Sequence, residues 1–215
     1  MRRLLVIRPE PGASATLARA RELGLEAEAV PLFAVQPVEW EVRDPSDYRG
    51  IVVTSANAFR HGGAALERLK SLPVHAVGEA TAEAAREAGF AVATVGTGGR
   101  FELGEKLPPG RLLHLAGADH LPVRGAEPVS VYGNRAIDPP PTIDAAGAVV
   151  IVHSPRAGKR LAELVEDRAT TTIAAISEQA AKACGSGWKH VAVAESPRET
   201  ALLALAAELC QNGGT

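Results

Sequence analysis

Two stretches of the chain place a hydroxyl-bearing residue within two positions of the end of a short apolar run. "GIVVTSANAF" (residues 50–59) has Thr54 and Ser55 there, and "AVVIVHSPRAG" (residues 148–158) has Ser154. Hydroxyls and backbone N–H groups at a helix start can bind anions, because the first N–H groups of a helix lack partners and carry partial positive charge. The two stretches therefore predict a pair of sites for a negatively charged ligand.

Each hydroxyl also has a simpler explanation. Ser and Thr are preferred at helix starts, where the side chain accepts a hydrogen bond from the backbone. For Ser55, Thr81 or Ser154 taken singly, a capping role is favoured roughly two to one over ligand binding. The two roles are compatible, because a capping residue at a strand end also faces solvent.

The two stretches belong to a longer internal repeat. Ser55 and Ser154 lie 99 positions apart, and "AVGEATAEA" (residues 76–84) aligns with "AISEQAAKA" (residues 175–183) at the same offset. "VATVGTGGRFEL" and "VAVAESPRETAL" extend the match. Three strand–helix units with one offset indicate two related α/β modules. The repeat leaves open whether each module is contiguous or whether residues 1–35 join the last three units.

Short β-branched runs alternate with Ala-, Leu-, Glu- and Arg-rich stretches of helical period. This alternation predicts an α/β fold with parallel sheets covered by helices on both faces. About ten candidate strands are too many for one sheet in so short a chain, which favours two sheets of about five strands.

Three segments carry more specific expectations. "AEAVPLF" (residues 27–33) is predicted as one strand, and "AFRHGGAALERLK" (residues 58–70) as a helix. "ADHLPVRGAEP" (residues 118–128) is too short and too rich in Pro and Gly to hold a helix, so the second copy of that unit has lost one.

Composition excludes several classes of protein. A net charge of −2 argues against binding through phosphate-backbone attraction, so no nucleic-acid partner is expected. "MRRLLVIRPEPG" has too few apolar residues for a signal peptide, and no run is long enough to span a membrane. Cys184 and Cys210 are expected to be buried, reduced thiols, which fits a cytoplasmic protein. The six His form no HxxxH or HExxH pattern, and "GTGGR" is no nucleotide fingerprint, so neither a metal site nor a nucleotide site is expected.

Single charged or aromatic residues remain ambiguous at this level. Arg8 is equally a ligand-binding cation or a solvated strand end, whereas Arg156 in a first helical turn mildly favours anion binding. Glu79 and Glu178 are explained by the positive end of the helix dipole. Tyr132 is slightly better explained as an amphipathic plug at a domain edge than as a functional group.

The order and spacing of a set of phrases make the chain similar to the uroporphyrinogen-III synthase family, which closes linear hydroxymethylbilane into the tetrapyrrole ring. The phrases are "LLVIRPEPGA", "GLEAEAVPLFAVQPV", "YRGIVVTSANAF", "VHAVGEATAEAAREAGF", "RLLHLAG", "VSVYGNRA", "VIVHSPRAG", "TIAAISEQAAKA" and "VAVAESPRETALLAL". The resemblance covers nearly the whole chain.

The resemblance implies two α/β domains joined by two extended connectors, with a cleft between the domains. One domain would comprise residues 1–35 and 140–215, and the other residues 40–132. Residues 36–39 and 133–139 would be the connectors.

The resemblance also implies a set of site residues. Tyr132 matches the tyrosine proposed as the acid that helps the substrate hydroxyl depart. Together with Arg8, the expected substrate-binding residues are Thr54, Ser55, Ala56, Asn57, Gly78, Glu79, Ala80, Thr81, Ser154, Pro155, Arg156, Ser177, Glu178 and Gln179. Residues 177–179 depart from the family's usual Gly-Pro-Thr, and Ala180 replaces a common Thr, which weakens the expected hydroxyl contact there.

The implied activity is a lyase reaction on a linear tetrapyrrole with eight carboxylates, without metal or cofactor. The implied protein is a cytoplasmic monomer that transiently contacts hydroxymethylbilane synthase. Two alternatives differ in class. A two-lobed binding protein for an anionic small molecule is disfavoured because no signal peptide is expected, and a pair of receiver domains because "LLVIRPEPG" has no Asp after the first strand.

Overall fold

The computed structural model describes residues 1–42 and 44–211. Contacts divide the chain into two compact units. Unit 1 comprises Met1–Ala34 and the chain from Arg135 onward, and unit 2 comprises Val35–Asn134.

The described residues form eleven strands, seven α-helices and two 3₁₀ helices. The strands are β1 (Leu4–Val6), β2 (Ala27–Ala29), β3 (Phe33–Pro37), β4 (Gly50–Val53), β5 (Val74–Ala76), β6 (Val92–Val95), β7 (Leu112–Gly117), β8 (Ala126–Ala136), β9 (Val149–Val152), β10 (Thr172–Ala175) and β11 (His190–Val193). The helices are α1 (Gly12–Glu22), α2 (Asn57–His61), α3 (Glu79–Glu87), α4 (Gly99–Lys106), α5 (Pro155–Leu164), α6 (Glu178–Ala183) and α7 (Glu199–Gln211), with 3₁₀ helices at Pro45–Asp47 and Gly63–Leu69.

The strands form two sheets of the same order, as the repeat predicts. Sheet A runs β11-β10-β9-β1-β2, and sheet B runs β6-β5-β4-β7-β8-β3. The offset of 99 positions relates β9, β10 and β11 to β4, β5 and β6, so β1 and β2 stand where sheet B has β7 and β8. Sheet A is parallel throughout, and the pairing of β1 with β9 joins the start of the chain to its last three strand–helix units.

Sheet B is mixed because of its extra edge strand. Strands β4 to β8 pair in parallel, and β3 lies beside β8. The β3 strand overlaps the start of the first predicted connector, residues 36–39. The β8 strand ends at Ala136, within the second predicted connector, residues 133–139. The predicted α/β class with two sheets of about five strands is confirmed.

Sheet A is covered by helices on both faces. Leu5, Val150 and Ile173 pack on one face with α5 and α6, whereas Leu4 and Ile151 pack on the other with α1 and α7. Strand residues on both faces are fully buried, which explains why these strands are continuous apolar runs in the sequence.

Sheet B lacks one of its covering helices, as the sequence predicts. Residues 118–125 connect β7 to β8 without a helix, where unit 1 has α1 between β1 and β2. The apolar cluster on that face is small, and contains Val52, Leu112, Leu103 from α4 and Val123 from the connecting loop.

Two predicted elements are wrong in extent. Residues 27–33 are not one strand, since β2 ends at Ala29 and β3 begins at Phe33. Pro31 lies between them and has no N–H for a sheet hydrogen bond. The helix predicted over residues 58–70 breaks at Gly63, whose φ of +66° suits glycine, and continues as a 3₁₀ helix.

Two further observations concern cysteines and membranes. Cys184 and Cys210 are free and fully buried as predicted, and burial raises the pKa of Cys184 to about 11. Within the described residues, no helix has both the length and the apolar character needed to cross a membrane.

The close packing of α5 against α6 makes a stability prediction. A Cβ at Gly158 would lie 2.8 Å from the carbonyl oxygen of Ala180 and 2.9 Å from Sγ of Cys184. Gly158→Ala should lower the free energy of unfolding by about 1–3 kcal/mol, because the backbone of α6 must shift.

Gly104→Ala is the matched control. It also lies within a helix, but its nearest neighbour, a side-chain atom of Arg124, would be 3.7 Å away. This variant should be neutral or up to about 1 kcal/mol more stable, because Ala favours the helix. Urea unfolding of both variants measures the difference, and equal stabilities would contradict the packing argument.

Candidate functional site

Parallel pairing brings the polar residues that follow the strands to one edge of each sheet. We define edge A as the carboxyl edge of sheet A, formed by Arg8, residues 153–156, residues 177–179 and Glu199. Edge B is the carboxyl edge of sheet B, formed by residues 54–57, residues 78–81 and Tyr132. Each edge is described separately.

Glu199 is the centre of a polar cluster at edge A. Its carboxylate accepts hydrogen bonds from Arg8 Nη1 at 3.1 Å, from His153 Nε2 at 2.9 Å and from Thr16 Oγ1. Burial raises the pKa of Glu199, but hydrogen bonds from His153 and Thr16 and the charges of His153 and Arg8 outweigh it and lower the pKa to about 2. Glu199 is therefore ionised at neutral pH, and it joins β1, α1 and the end of β9.

Arg8 is fixed in this cluster by a neighbouring glycine. A Cβ at Gly12 would lie 2.5 Å from Arg8 Nε, so in this arrangement the guanidinium packs directly on the backbone at the start of α1. Arg8 is 33% exposed, and it forms an ion pair with Glu199. The ion pair places Arg8 in a polar cluster at the end of β1, and its role as a ligand-binding cation stays a prediction.

The predicted hydroxyls of edge A act as helix caps. Ser154 Oγ accepts a hydrogen bond from the N–H of Ala157 at 3.2 Å, and Ser177 Oγ accepts one from the N–H of Ala180 at 3.3 Å. Pro155 is the first residue of α5 and is exposed. The remaining predicted residues of this edge are all exposed: Arg156, Glu178 and Gln179. Arg156 also lies over the ring of Phe33, 4.6 Å from its centroid.

At edge B, Thr54 is bonded to a histidine that is remote in sequence. Thr54 Oγ1 lies 3.1 Å from His114 Nε2, and His114 is fully buried in β7. Burial, followed by the nearby charge of His120, lowers the pKa of His114 to about 4, so its ring is neutral at pH 7. Next to Thr54, Ser55 Oγ accepts a hydrogen bond from the N–H of Asn57 at 3.3 Å. Thr54, Ser55, Ala56 and Asn57 are all partly exposed.

The second segment of edge B opens α3. Gly78 is the N-cap in extended conformation, and the exposed Glu79 forms an ion pair with Arg86 at 2.7 Å. Ala80 is exposed, whereas Thr81 is the third residue of α3 and only 6% exposed. The interpretation of Thr81 as a helix cap is therefore wrong, because the helix begins earlier.

Tyr132 lies in β8 opposite the last residue of β7. Its ring packs on Gly117, where an added Cβ would be 2.8 Å from Cε2 and Cζ and 3.0 Å from the hydroxyl oxygen. The ring of His61 is also close, with centroids 6.4 Å apart. Tyr132 is half-buried, and its ring packs against the backbone of Gly117 with no intervening side chain.

The sequence did not single out four residues that the structure places at these edges. His153, Glu199 and Thr16 form the cluster around Arg8, and His114 pairs with Thr54. The only signal for His153 was its position in the repeat, where it corresponds to Thr54. Among the described residues, no group of three or more His, Cys, Asp or Glu could hold a metal ion.

Comparison with known proteins gives a family. The family model described as uroporphyrinogen-III synthase HemD matches residues 14–204, most of the chain. The chain belongs to the uroporphyrinogen-III synthase family. This is a family of haem-biosynthesis enzymes. No curated protein sequence matches the chain.

Two solved structures of uroporphyrinogen-III synthases are similar to the chain to different degrees. The uroporphyrinogen-III synthetase of Helicobacter pylori is 19% identical, with a TM-score of 0.65, over 97% of this chain and 100% of that one. The wild-type uroporphyrinogen III synthase of Thermus thermophilus is 18% identical, with a TM-score of 0.44, over 100% of both chains. The first similarity supports the same α/β architecture.

The Glu199 cluster makes a pH-dependent prediction. Because the folded state lowers the pKa of Glu199 from 4.5 to about 2, its stabilisation is present above pH 4.5 and is lost as the pH falls toward 2. Glu199→Gln should lower the free energy of unfolding by about 1–3 kcal/mol at pH 7, since Arg8 and His153 lose a charged partner.

The exposed Glu195 provides the control, and Glu195→Gln should change stability little. Chemical unfolding at several pH values measures the effect. The gap between wild type and Glu199→Gln should narrow below pH 4.5, and a gap that is independent of pH would contradict the assignment.

Proposed function

We propose that the chain closes linear hydroxymethylbilane to uroporphyrinogen III, with loss of water and inversion of the terminal pyrrole ring. The family match over residues 14–204 is the observation that carries this proposal. Two sheets of the same order, each with polar residues at its carboxyl edge, support it, because the substrate carries eight carboxylates.

The proposed reaction begins when the hydroxymethyl C–O bond breaks and the oxygen leaves as water after taking a proton. The resulting azafulvene is attacked by the substituted carbon of the terminal ring, which gives a spiro intermediate. That intermediate fragments and closes again with the ring inverted, and a ring proton is lost. Without an enzyme, the linear tetrapyrrole closes with its terminal ring uninverted. The protein therefore mainly fixes the substrate conformation in which ring inversion precedes closure.

We propose that substrate carboxylates bind at both edges. At edge A, Arg8 offers a fixed guanidinium, and the residues at the starts of α5 and α6 are exposed. The proposed contacts of this edge are Ser154, Pro155, Arg156, Ser177, Glu178 and Gln179. At edge B, the proposed contacts are Thr54, Ser55, Ala56, Asn57, Gly78, Glu79, Ala80 and Thr81. Capping by Ser154 and Ser177 is compatible with binding through backbone N–H groups.

The acid that assists water loss is proposed to be Tyr132. Its ring is held on Gly117, and its half-buried position suits a hydroxyl that must reach a substrate oxygen. General acid catalysis by such a group contributes at most about 10²-fold to this intrinsically facile step.

We further propose that the two compact units act as the two domains of the family, with residues 1–35 and 140–215 in one and residues 40–132 in the other. Because the substrate closes spontaneously, a cytoplasmic monomer that receives it in transient contact with hydroxymethylbilane synthase would limit the uninverted product.

Porphyrin isomer analysis tests the function. The protein is incubated with freshly prepared hydroxymethylbilane, the product is oxidised, and the isomers are separated by chromatography, with heat-denatured protein as the control. The inverted isomer should predominate only with the native protein. Uninverted isomer alone in both samples would overturn the proposal and leave an anion-binding protein without catalysis.

Two variants test the acid. Tyr132→Phe should lower kcat by up to about 10²-fold. Gly117→Ala should lower kcat in the same direction, because its Cβ would displace the Tyr132 ring.

The control for these variants is Gly104→Ala, in which the added Cβ meets no atom closer than 3.7 Å. Its kcat should equal that of the wild type when both are assayed at saturating substrate. An unchanged rate in Tyr132→Phe would remove this residue from the catalytic machinery.

A further inference from the structure

We propose that His114 is a positioning residue that makes Thr54 a directed hydrogen-bond donor for an anionic substrate group. In this arrangement His114 Nε2–H donates to Thr54 Oγ1, and the hydroxyl proton of Thr54 is left to donate outward. The inference rests on the proposed function, and it assigns His114, which touches no substrate, a role that acts through Thr54.

The different surroundings of the two ring nitrogens of His114 indicate which of them carries the proton. Nε2 lies 3.1 Å from Thr54 Oγ1, whereas Nδ1 is buried and pairs with no described residue. A neutral imidazole has one N–H and one lone pair, and the hydroxyl can accept or donate. A buried N–H without an acceptor is rarer and less favourable than an unpaired lone pair. The proton therefore lies on Nε2, and Thr54 Oγ1 accepts it.

The surroundings of His114 keep it neutral in this tautomer. The ring is fully buried on the face of sheet B that carries Val52, Leu112 and Val123. The ring of His120 meets it edge-on, with centroids 5.7 Å apart, and His120 Nδ1 is bonded to the carbonyl oxygen of Gly117. Burial and then the charge of His120 both lower the pKa of His114, so its neutral form is favoured.

The hydroxyl proton of Thr54 is free to donate to a ligand. The Thr54 hydroxyl has a single proton, and its oxygen already accepts a hydrogen bond from His114. Thr54 is partly exposed at edge B, so this proton is available to an acceptor that arrives from outside. A carboxylate accepts hydrogen bonds and donates none when ionised, which matches the eight acidic groups of the proposed substrate.

The lost helix of unit 2 explains why a histidine can occupy this position. Strand register and the offset of 99 positions make Val6 the counterpart of His114. Val6 packs in the apolar cluster that includes Ala13 and Ala20 of α1. Unit 2 has no counterpart of α1 between β7 and β8, and His120 of the loop that replaces it contacts His114. The missing helix thus gives a polar connection from the sheet interior to edge B.

A double-mutant cycle in the assay of isomer formation tests the inference. His114→Leu should raise KM about fivefold to tenfold with a smaller change in kcat, since one directed hydrogen bond is lost. In a Thr54→Val background, His114→Leu should raise KM no further, because His114 acts through the hydroxyl. His114→Gln, which retains an N–H donor, should restore most of the affinity, and His190→Leu at an exposed strand position should have no effect.

An equal effect of His114→Leu in both backgrounds would overturn the inference, because it would show a merely structural role. An unchanged KM in Thr54→Val, with wild-type protein still forming the inverted isomer, would also overturn it while leaving the proposed function intact. A wild-type protein that forms only the uninverted isomer would instead defeat the proposed function.

The tautomer can be measured without any variant. In ¹⁵N-labelled wild-type protein at pH 7, long-range proton–nitrogen correlation should show His114 Nε2 protonated and Nδ1 unprotonated. This state should persist as the pH falls below 6, because burial lowers the pKa of His114 to about 4. A proton on Nδ1 would overturn the inference whether or not His114→Leu folds.

Discussion

Parallel strand pairing is the constraint on which the rest of the structure depends. In sheet A, β1 pairs with β9 and β10 with β9, all in the same direction, and in sheet B the same holds for β4, β5 and β7. These parallel strands therefore end at one edge of their sheet, and residues far apart in the chain become neighbours there. Thr54 meets His114 because β4 pairs with β7, whereas Glu199, the first residue of α7, meets His153 because α7 and the end of β9 lie at the same edge.

The two units use this shared geometry differently. Edge A has a charged cluster, in which a partly buried carboxylate accepts hydrogen bonds from a guanidinium, an imidazole and a hydroxyl of three separate segments. Edge B has neutral partners, in which a buried imidazole holds a hydroxyl and a glycine backbone holds a phenol ring. Duplication has thus preserved the order of the strands while changing the polar chemistry at their ends.

The sequence was sufficient for the fold class because its signals are local or periodic. Apolar runs identified the central strands, the offset of 99 positions related the two sheets, and Pro and Gly in residues 118–128 indicated the lost helix. Gly63 could have indicated the break in the predicted helix over residues 58–70. Only strand pairing resolves where the first 35 residues belong, because the repeat alone permits two arrangements.

The side-chain contacts at the two edges could not be predicted from the sequence, because the partners are far apart in the chain. Arg8 and Glu199 are separated by 191 positions, and Thr54 and His114 by 60, so no local pattern links them. His114 lies within an otherwise apolar strand, where sequence alone favours a core histidine. Its burial is as expected, but its bond to Thr54 depends on the register between β4 and β7.

The central claim is that ligand binds at the carboxyl edges of the two sheets. The most direct measurement is the change in backbone amide chemical shifts when the cyclic product is titrated anaerobically into ¹⁵N-labelled protein. The largest changes should fall in residues 54–57, 78–81, 153–156 and 177–179, with little change at the opposite edge near Arg111 and Glu127. Changes confined to that opposite edge would contradict the account.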